Sequence, residues 1–205
     1  MRMSEKIYPI GIQNFEKIRK EGYFYIDKTA LIYRLVKTGS YYFLSRPRRF
    51  GKSLLISTLD AYFRGEKELF KGLAIEKLEK DWVQRPVLHI DLNIGKYDAP
   101  DSLDKILNEA LVKWESVFGT GAGESTLALR FKGVVERAYK QSGQRVAILV
   151  DEYDKPLLQA IGNEELQREY RNTLKPFYGV LKTMDGCIQF AMLTGVTKFG
   201  KVSVF

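Results

Sequence analysis

YYFLSRPRRFGKSLL, residues 41–55, is the stretch on which the reading of the whole chain turns. Its first five residues, Tyr41–Ser45, form a compact aromatic and aliphatic run suited to a buried strand. After the loop, Leu55, Leu59, Tyr62 and Phe63 recur at helical spacing, which predicts a helix from near Lys52 that stops before Gly65. Between the two stand Gly51-Lys52-Ser53. The glycine lets the backbone approach a ligand closely, the lysine can reach terminal phosphates, and the serine hydroxyl can ligate Mg²⁺. Amides at a helix N-terminus point outward unpaired, and the helix dipole favours negative charge there. Strand, loop and helix therefore follow in the order that a phosphate cradle requires.

One position departs from the common pattern. A full G-x-x-x-x-G-K-[ST] loop places a glycine five residues before Gly51, and this chain has Arg46 there. Arginine carries a Cβ that resists positive φ, and Pro47 pushes Arg46 towards extended geometry. The loop opening must differ from the usual one. Arg46, Arg48 and Arg49 either contact phosphates with their side chains or face solvent or a partner. Arg46, Pro47, Arg48, Arg49, Phe50, Gly51, Lys52, Ser53 and Leu54 are the candidate nucleotide-binding residues.

A nucleoside triphosphate site also needs a carboxylate at the end of a neighbouring buried strand. Val146–Val150 is five apolar residues without alternation, the pattern of a strand covered on both faces, and Asp151 and Glu152 follow it. Asp151 can hold Mg²⁺ with Ser53, and Glu152 can orient and polarise an attacking water. The same pair also fits a loop start or a helix cap. The last strand, Ile188–Thr194, ends on a threonine that either reaches the γ-phosphate or the water or is a turn residue. Lys52, Glu152 and Thr194 are the catalytic candidates; Ser53 and Asp151 are the metal candidates.

Elsewhere the chain reads as a strand at Val87–Leu92 and helices from about Ser102 and over about Ser125–Gln141. A helical stripe over Leu166–Leu181 is expected to be kinked or interrupted at Pro176. Strands separated by helices point to a three-layer α/β fold with a mainly parallel sheet. Upstream, two short helices, Asn14–Lys20 and Thr29–Lys37, flank an extended piece at Tyr23–Ile26. Residues 1–39 are taken as an extension of the same domain, with the core over 40–205.

Composition excludes little beyond membrane and disulfide classes. No run approaches the ~18 apolar residues of a membrane span, and the N-terminus lacks a secretory apolar stretch. The single cysteine, Cys187, is expected to pack as a small apolar residue. A cytoplasmic location is expected. The net charge of +8 attracts polyanions in general, but no nucleic-acid recognition motif is evident.

Five ordered blocks carry a resemblance: YPIGIQNFEKIRKEGYFYIDKT, YYFLSRPRRFGKSLL, VLHIDL, VAILVDEYDKP and FAMLTGVTKF. Together they resemble the bacterial AAA-ATPase-like domain, a P-loop group in which the Arg-Pro-Arg-Arg-Phe-Gly-Lys-Ser loop recurs. The resemblance implies an additional-strand, catalytic-glutamate (ASCE) P-loop fold, in which the strand ending at Thr194 lies between the other two. It also implies Lys52 and Ser53 as Walker A, Asp151 and Glu152 as Walker B, and Thr194 as sensor 1. Members often continue into a region resembling PD-(D/E)XK nucleases. Here the sequence stops at Lys201–Phe205, before any lid or sensor 2 arginine, and is expected to be a fragment.

Other polar residues have two readings each. Asp27 or Thr29 caps a helix, or the Tyr25–Thr29 segment lies near an adenine ring with Ile10, Gly11, Ile12 and Phe15. His89 reads as a packed core residue and Asp91 as a polar support at the strand end. Asp154 is expected to hydrogen-bond locally within its turn. Arg168 and Arg171 lie on a solvated helix face, or serve a neighbouring subunit's transition state if the protein is oligomeric. The leading expectation is Mg²⁺-dependent ATP binding and hydrolysis, as motor or switch for an attached effector. The alternatives are a nucleotide switch without significant hydrolysis and a basic nucleic-acid-binding module.

Overall fold

The computed structural model describes residues 7–197. Among the described residues four strands form one parallel sheet: β1 (Tyr41–Ser45), β2 (Val87–Asp91), β3 (Val146–Asp151) and β4 (Ile188–Gly195), in the spatial order β1-β4-β3-β2. The strand that ends near Thr194 thus lies between the loop strand and the carboxylate strand, the order that the resemblance implies. Every residue of β3 is buried, because helices cover both faces of the sheet and leave no side for polar alternation.

Register and parity decide what faces what. Leu88, Ile148, Val150, Ala191 and Leu193 point into one core, packed under α5 (Ser102–Phe118), α6 (Leu127–Ser142) and α8 (Glu164–Thr183). Ala147, Leu149, Phe190 and Met192 point into the other, together with Phe15 of α1 (Phe15–Lys20), Ile32 of α2 (Thr29–Thr38) and Ile56 and Leu59 of α3 (Lys52–Phe63). Side chains alternate along a strand, so Asp151 and Thr194 share the parity of Leu149 and Met192 and lie on the α3 face. A 3-10 turn at Lys67–Phe70 and a short helix α4 (Ala74–Leu78) close that face, and Phe70 stacks between Phe15 and Trp82.

Of the expected kink or interruption at Pro176, the interruption does not occur: α8 runs over Glu164–Thr183 with the proline inside it. Proline cannot donate to the carbonyl four residues back. Here both Pro176 and Asn172 are on the exposed side, which leaves the freed carbonyl open to solvent, while Leu174, Phe177, Tyr178 and Leu181 keep the buried face packed. A short helix α7 (Lys155–Gln159), with Pro156 in its first turn, follows the carboxylate strand. The expected chain end at Lys201–Phe205 lies outside the described residues. Among those described, no helix is long and apolar enough to cross a membrane.

Candidate functional site

The loop between β1 and α3 is built around a change of backbone sign. Gly51 is the N-cap of α3 at φ 76°, the left-handed region, and no side chain caps that helix start. The first amides of α3 therefore face outward without a side-chain partner, as an anion site requires. Arg46, where the common pattern has glycine, is not among the positive-φ residues; the left-handed non-glycine residue of the loop is Arg49, at φ 67°. The strain has moved three positions along the loop. Arg46, Pro47, Arg48, Arg49 and Phe50 are all exposed.

Lys52 does not extend into solvent. Its side chain is 3% exposed and its Nζ lies 3.1 Å from Glu152 Oε1. The same ammonium donates to the Arg46 carbonyl at 3.1 Å and to the Pro47 carbonyl at 3.3 Å. Two of the three catalytic candidates, one hundred positions apart, are thereby joined across the gap between β1 and β3. Glu152 adopts φ 53°, a conformation that costs a non-glycine residue on the order of 1–3 kcal/mol. Of three left-handed non-glycine positions among the described residues, two (Arg49 and Glu152) flank this gap.

Ser53 and Asp151 line one cleft of about 350 Å³. Asp151, 4% exposed, is held by the Thr194 hydroxyl, which donates to its Oδ1, and by the Glu152 amide at 3.1 Å. Thr194 itself is fully buried. The cleft continues down α3 along Ser57, Asp60 and Arg64, residues spaced to share one helix face, opposite His89 and Asp91 of β2. Asp91 stands in register with Asp151 on the next strand and accepts from the Asn93 amide at 2.8 Å. His89 is half-buried on this wall rather than packed in the core, and its Nδ1 lies 3.3 Å from Asp60 Oδ2. Burial pushes the Asp60 carboxyl up, but hydrogen bonds from His89 and Arg64 outweigh it and hold the group below its ordinary value.

On the other side of Gly51 lies an apolar cavity of about 500 Å³, lined by Tyr8, Phe24, Leu31, Phe50 and Leu54, with Tyr25 and Lys28 also on its wall. Tyr8 and Phe24 meet edge to face at 5.4 Å. Of the residues singled out for an adenine site, Tyr25, Ile26 and Lys28 line it; Phe15 is buried in the core. Asp27 and Thr29 instead serve helix starts. Asp27 accepts from the Thr29 and Ala74 amides, and the Thr29 hydroxyl accepts from the Ile75 amide.

Arg168 is exposed and lies 3.9 Å from Glu165 and from Glu169, as a solvated face would have it, whereas Arg171 is half-buried and donates to Gln167 within its own helix. Cys187 is a partly buried free thiol against the α8 core. Asp154 bonds not within its own turn but across to the end of β4. The Asp60–Arg64–His89 cluster was absent from the sequence-based candidates, although the Ser53, Ser57, Asp60, Arg64 stripe at helical spacing signals it.

Comparison with known proteins gives the family of the chain. Residues 9–205 match the family model described as a predicted AAA-ATPase, AAA-ATPase-like. The chain belongs to that family. Nucleotide binding, at that coarse level, is what the family description of this AAA-ATPase-like chain supports. It is also 43% identical, over 99% of its own length, to the "Uncharacterized protein in vnfD 5'region" of Azotobacter chroococcum mcd 1. It spans 40% of the length of that relative. No solved structure matches it.

Proposed function

We propose that the chain is an ASCE-type P-loop domain that binds MgATP and hydrolyses its γ-phosphate as motor or switch for an attached effector. The observation that carries this is the shared cleft of Ser53 and Asp151, beside an uncapped helix start and a buried lysine. A hydroxyl and a carboxylate are hard oxygen donors that suit Mg²⁺, which usually keeps several waters and takes its remaining ligands from substrate phosphates. A larger protein cage is not needed, and no group of three or more His, Cys, Asp or Glu able to hold a metal occurs among the described residues. Bound there, Mg²⁺ would neutralise charge on the phosphate oxygens.

In this proposal the α3 amides and Lys52 hold the phosphates, and Lys52 must exchange its contact with Glu152 for a phosphate oxygen. Glu152, once released, accepts a proton from the attacking water or orients it. Thr194 acts through Asp151, since its hydroxyl is committed to that carboxylate. The apolar cavity takes the base, its Tyr8, Phe24 and Phe50 offering aromatic faces beside Gly51. The extension (residues 1–39) supplies Tyr8 and Phe24 and so belongs functionally to the core over 40–205.

Calorimetry tests the division between base and phosphates. Parent protein is expected to bind MgATP, and Tyr8→Ala with Phe24→Ala to weaken that binding by roughly tenfold, since stacking is worth about 1–3 kcal/mol per base. Binding of magnesium tripolyphosphate, which has no base, should be unchanged by the double substitution. No binding of either ligand by the parent would end the proposal. A second reading has one observation behind it: the Arg46, Arg48 and Arg49 side chains are exposed, with no ion pair among the described residues. Salt-sensitive DNA or RNA binding that ignores ATP is the result that would favour it.

A further inference from the structure

The four residues after β4's last apolar pair, Thr194 to Thr197, form a bridge fastened on both sides of the site. On the loop side, the Arg46 amide donates to the Gly195 carbonyl at 3.0 Å and the Ser45 hydroxyl to the Val196 carbonyl at 2.8 Å. On the carboxylate side, the Tyr153 amide donates to the Thr194 carbonyl at 2.8 Å, and the Tyr153 hydroxyl to the Thr197 carbonyl at 3.0 Å. The strongest fastening is Asp154. Its Oδ2 accepts from the Val196 amide at 2.9 Å, the Thr197 amide at 2.6 Å and the Thr197 hydroxyl at 2.9 Å.

Asp154 is fully buried, and its Oδ1 has no hydrogen-bond partner. A buried carboxylate with one idle oxygen is costly, and the three bonds to its other oxygen offset part of that cost. What they achieve is spacing. Gly195 lies so close to this turn that an added Cβ would sit 2.6 Å from Asp154 Oδ1 and 2.7 Å from Tyr153 Cδ1. Any side chain there would push the bridge away from the carboxylate turn. This contact therefore fixes how closely the bridge can approach the carboxylate turn at the end of the paired strands.

We infer that Asp154 and Gly195 are positioning residues, which hold the carboxylate pair at working distance from the phosphate loop by clamping the Thr194–Thr197 bridge. The inference rests on the proposed nucleotide site and adds to it the part that sets its geometry. Neither residue touches the reacting atoms; both act through Thr194, Asp151 and the loop opening. Displacement on the order of 1 Å at such a site costs about 100-fold in rate, while the outward-facing α3 amides, which belong to a separate element, still meet phosphate.

The test uses the full-length protein, with ATP affinity measured by calorimetry in Mg²⁺ and in EDTA, and turnover measured beside it. Asp154→Ala and Gly195→Ala are expected to lower kcat by about 100-fold and to reduce the gain in affinity that Mg²⁺ confers by about fivefold or more. Affinity in EDTA should stay within about twofold of the parent. Asp154→Asn, whose amide oxygen can accept the same three donors, should restore most of both quantities. Should Asp154→Ala fail to fold, Gly195→Ala and Asp154→Asn carry the comparison. Folded variants with parental kcat and parental Mg²⁺ gain would overturn the inference, as would an equal loss of affinity with and without Mg²⁺. A parent that binds no nucleotide would instead remove the proposed site itself.

Discussion

Replacing Lys52 with alanine is expected to weaken MgATP binding by about 10- to 100-fold and to lower turnover by about a thousandfold. The first figure follows from one charge-assisted hydrogen bond, worth about 1.5–3 kcal/mol. The second follows from removing a donor aimed at charge that develops in the transition state. The lysine has no freedom to be replaced by a neighbour: its side chain is 3% exposed and its position is fixed by two loop carbonyls and Glu152. Alanine also leaves Glu152 without its cation, so some loss of thermal stability accompanies the loss of binding. Lys52→Arg is not a rescue, because a planar guanidinium cannot satisfy two carbonyls and a carboxylate in the space of an ammonium. Calorimetry for affinity and phosphate release for turnover check both figures.

Glu152→Gln is expected to separate the two activities. Turnover should fall by about 10²- to 10⁴-fold, the usual contribution of a positioned base, while ADP binding is retained or becomes several-fold tighter. The tightening has a specific origin. Glu152 Oε1 lies 3.1 Å from the Lys52 ammonium; in the proposed site it would compete with phosphate for that cation, and a neutral amide would compete less well. The backbone at φ 53° is equally unfavourable for both side chains, so the comparison isolates the charge. ADP is the ligand to use because its affinity is not inflated by blocked hydrolysis. Weaker ADP binding in this variant would place Glu152 among groups that support the ligand rather than compete for its lysine.

The fold was largely legible because its strands announce themselves in different ways. Val146–Val150 has no polar alternation, and the structure buries all of β3. The Tyr41–Ser45 run and the helix after Lys52 fall where the sequence places them, within a residue or two. Pro176 misled because proline chemistry is local, whereas its tolerance depends on which side of α8 meets water. The Lys67–Leu78 turns and α7 escaped notice since stretches of four or five residues are too short to show a period.

The candidate site was named from its motifs and not from its joints. Gly51, Lys52 and Ser53 and the Asp151–Glu152 pair could be named from order alone. The Lys52–Glu152 contact, the commitment of Thr194 to Asp151 and the Asp154 clamp span 42 to 100 positions of sequence. Each depends on which side chains meet across the β1-β4-β3 adjacency; the resemblance implies the adjacency, but no local pattern encodes the contacts. Gly195 is the instructive case. Its need for a missing side chain arises from Asp154 and Tyr153 pressing against it, and not from any turn signal of its own.

The most direct measurement is a double-mutant cycle on the magnesium dependence of ATP affinity, with Ser53→Ala, Asp151→Asn and the two combined, each titrated with and without Mg²⁺. If both oxygens serve one ion, either substitution alone removes most of the Mg²⁺ enhancement and the pair removes little more, giving a coupling on the order of 1 kcal/mol or above. Independent, additive losses, or an enhancement that survives the double substitution, would contradict a shared magnesium and with it the proposed enzyme.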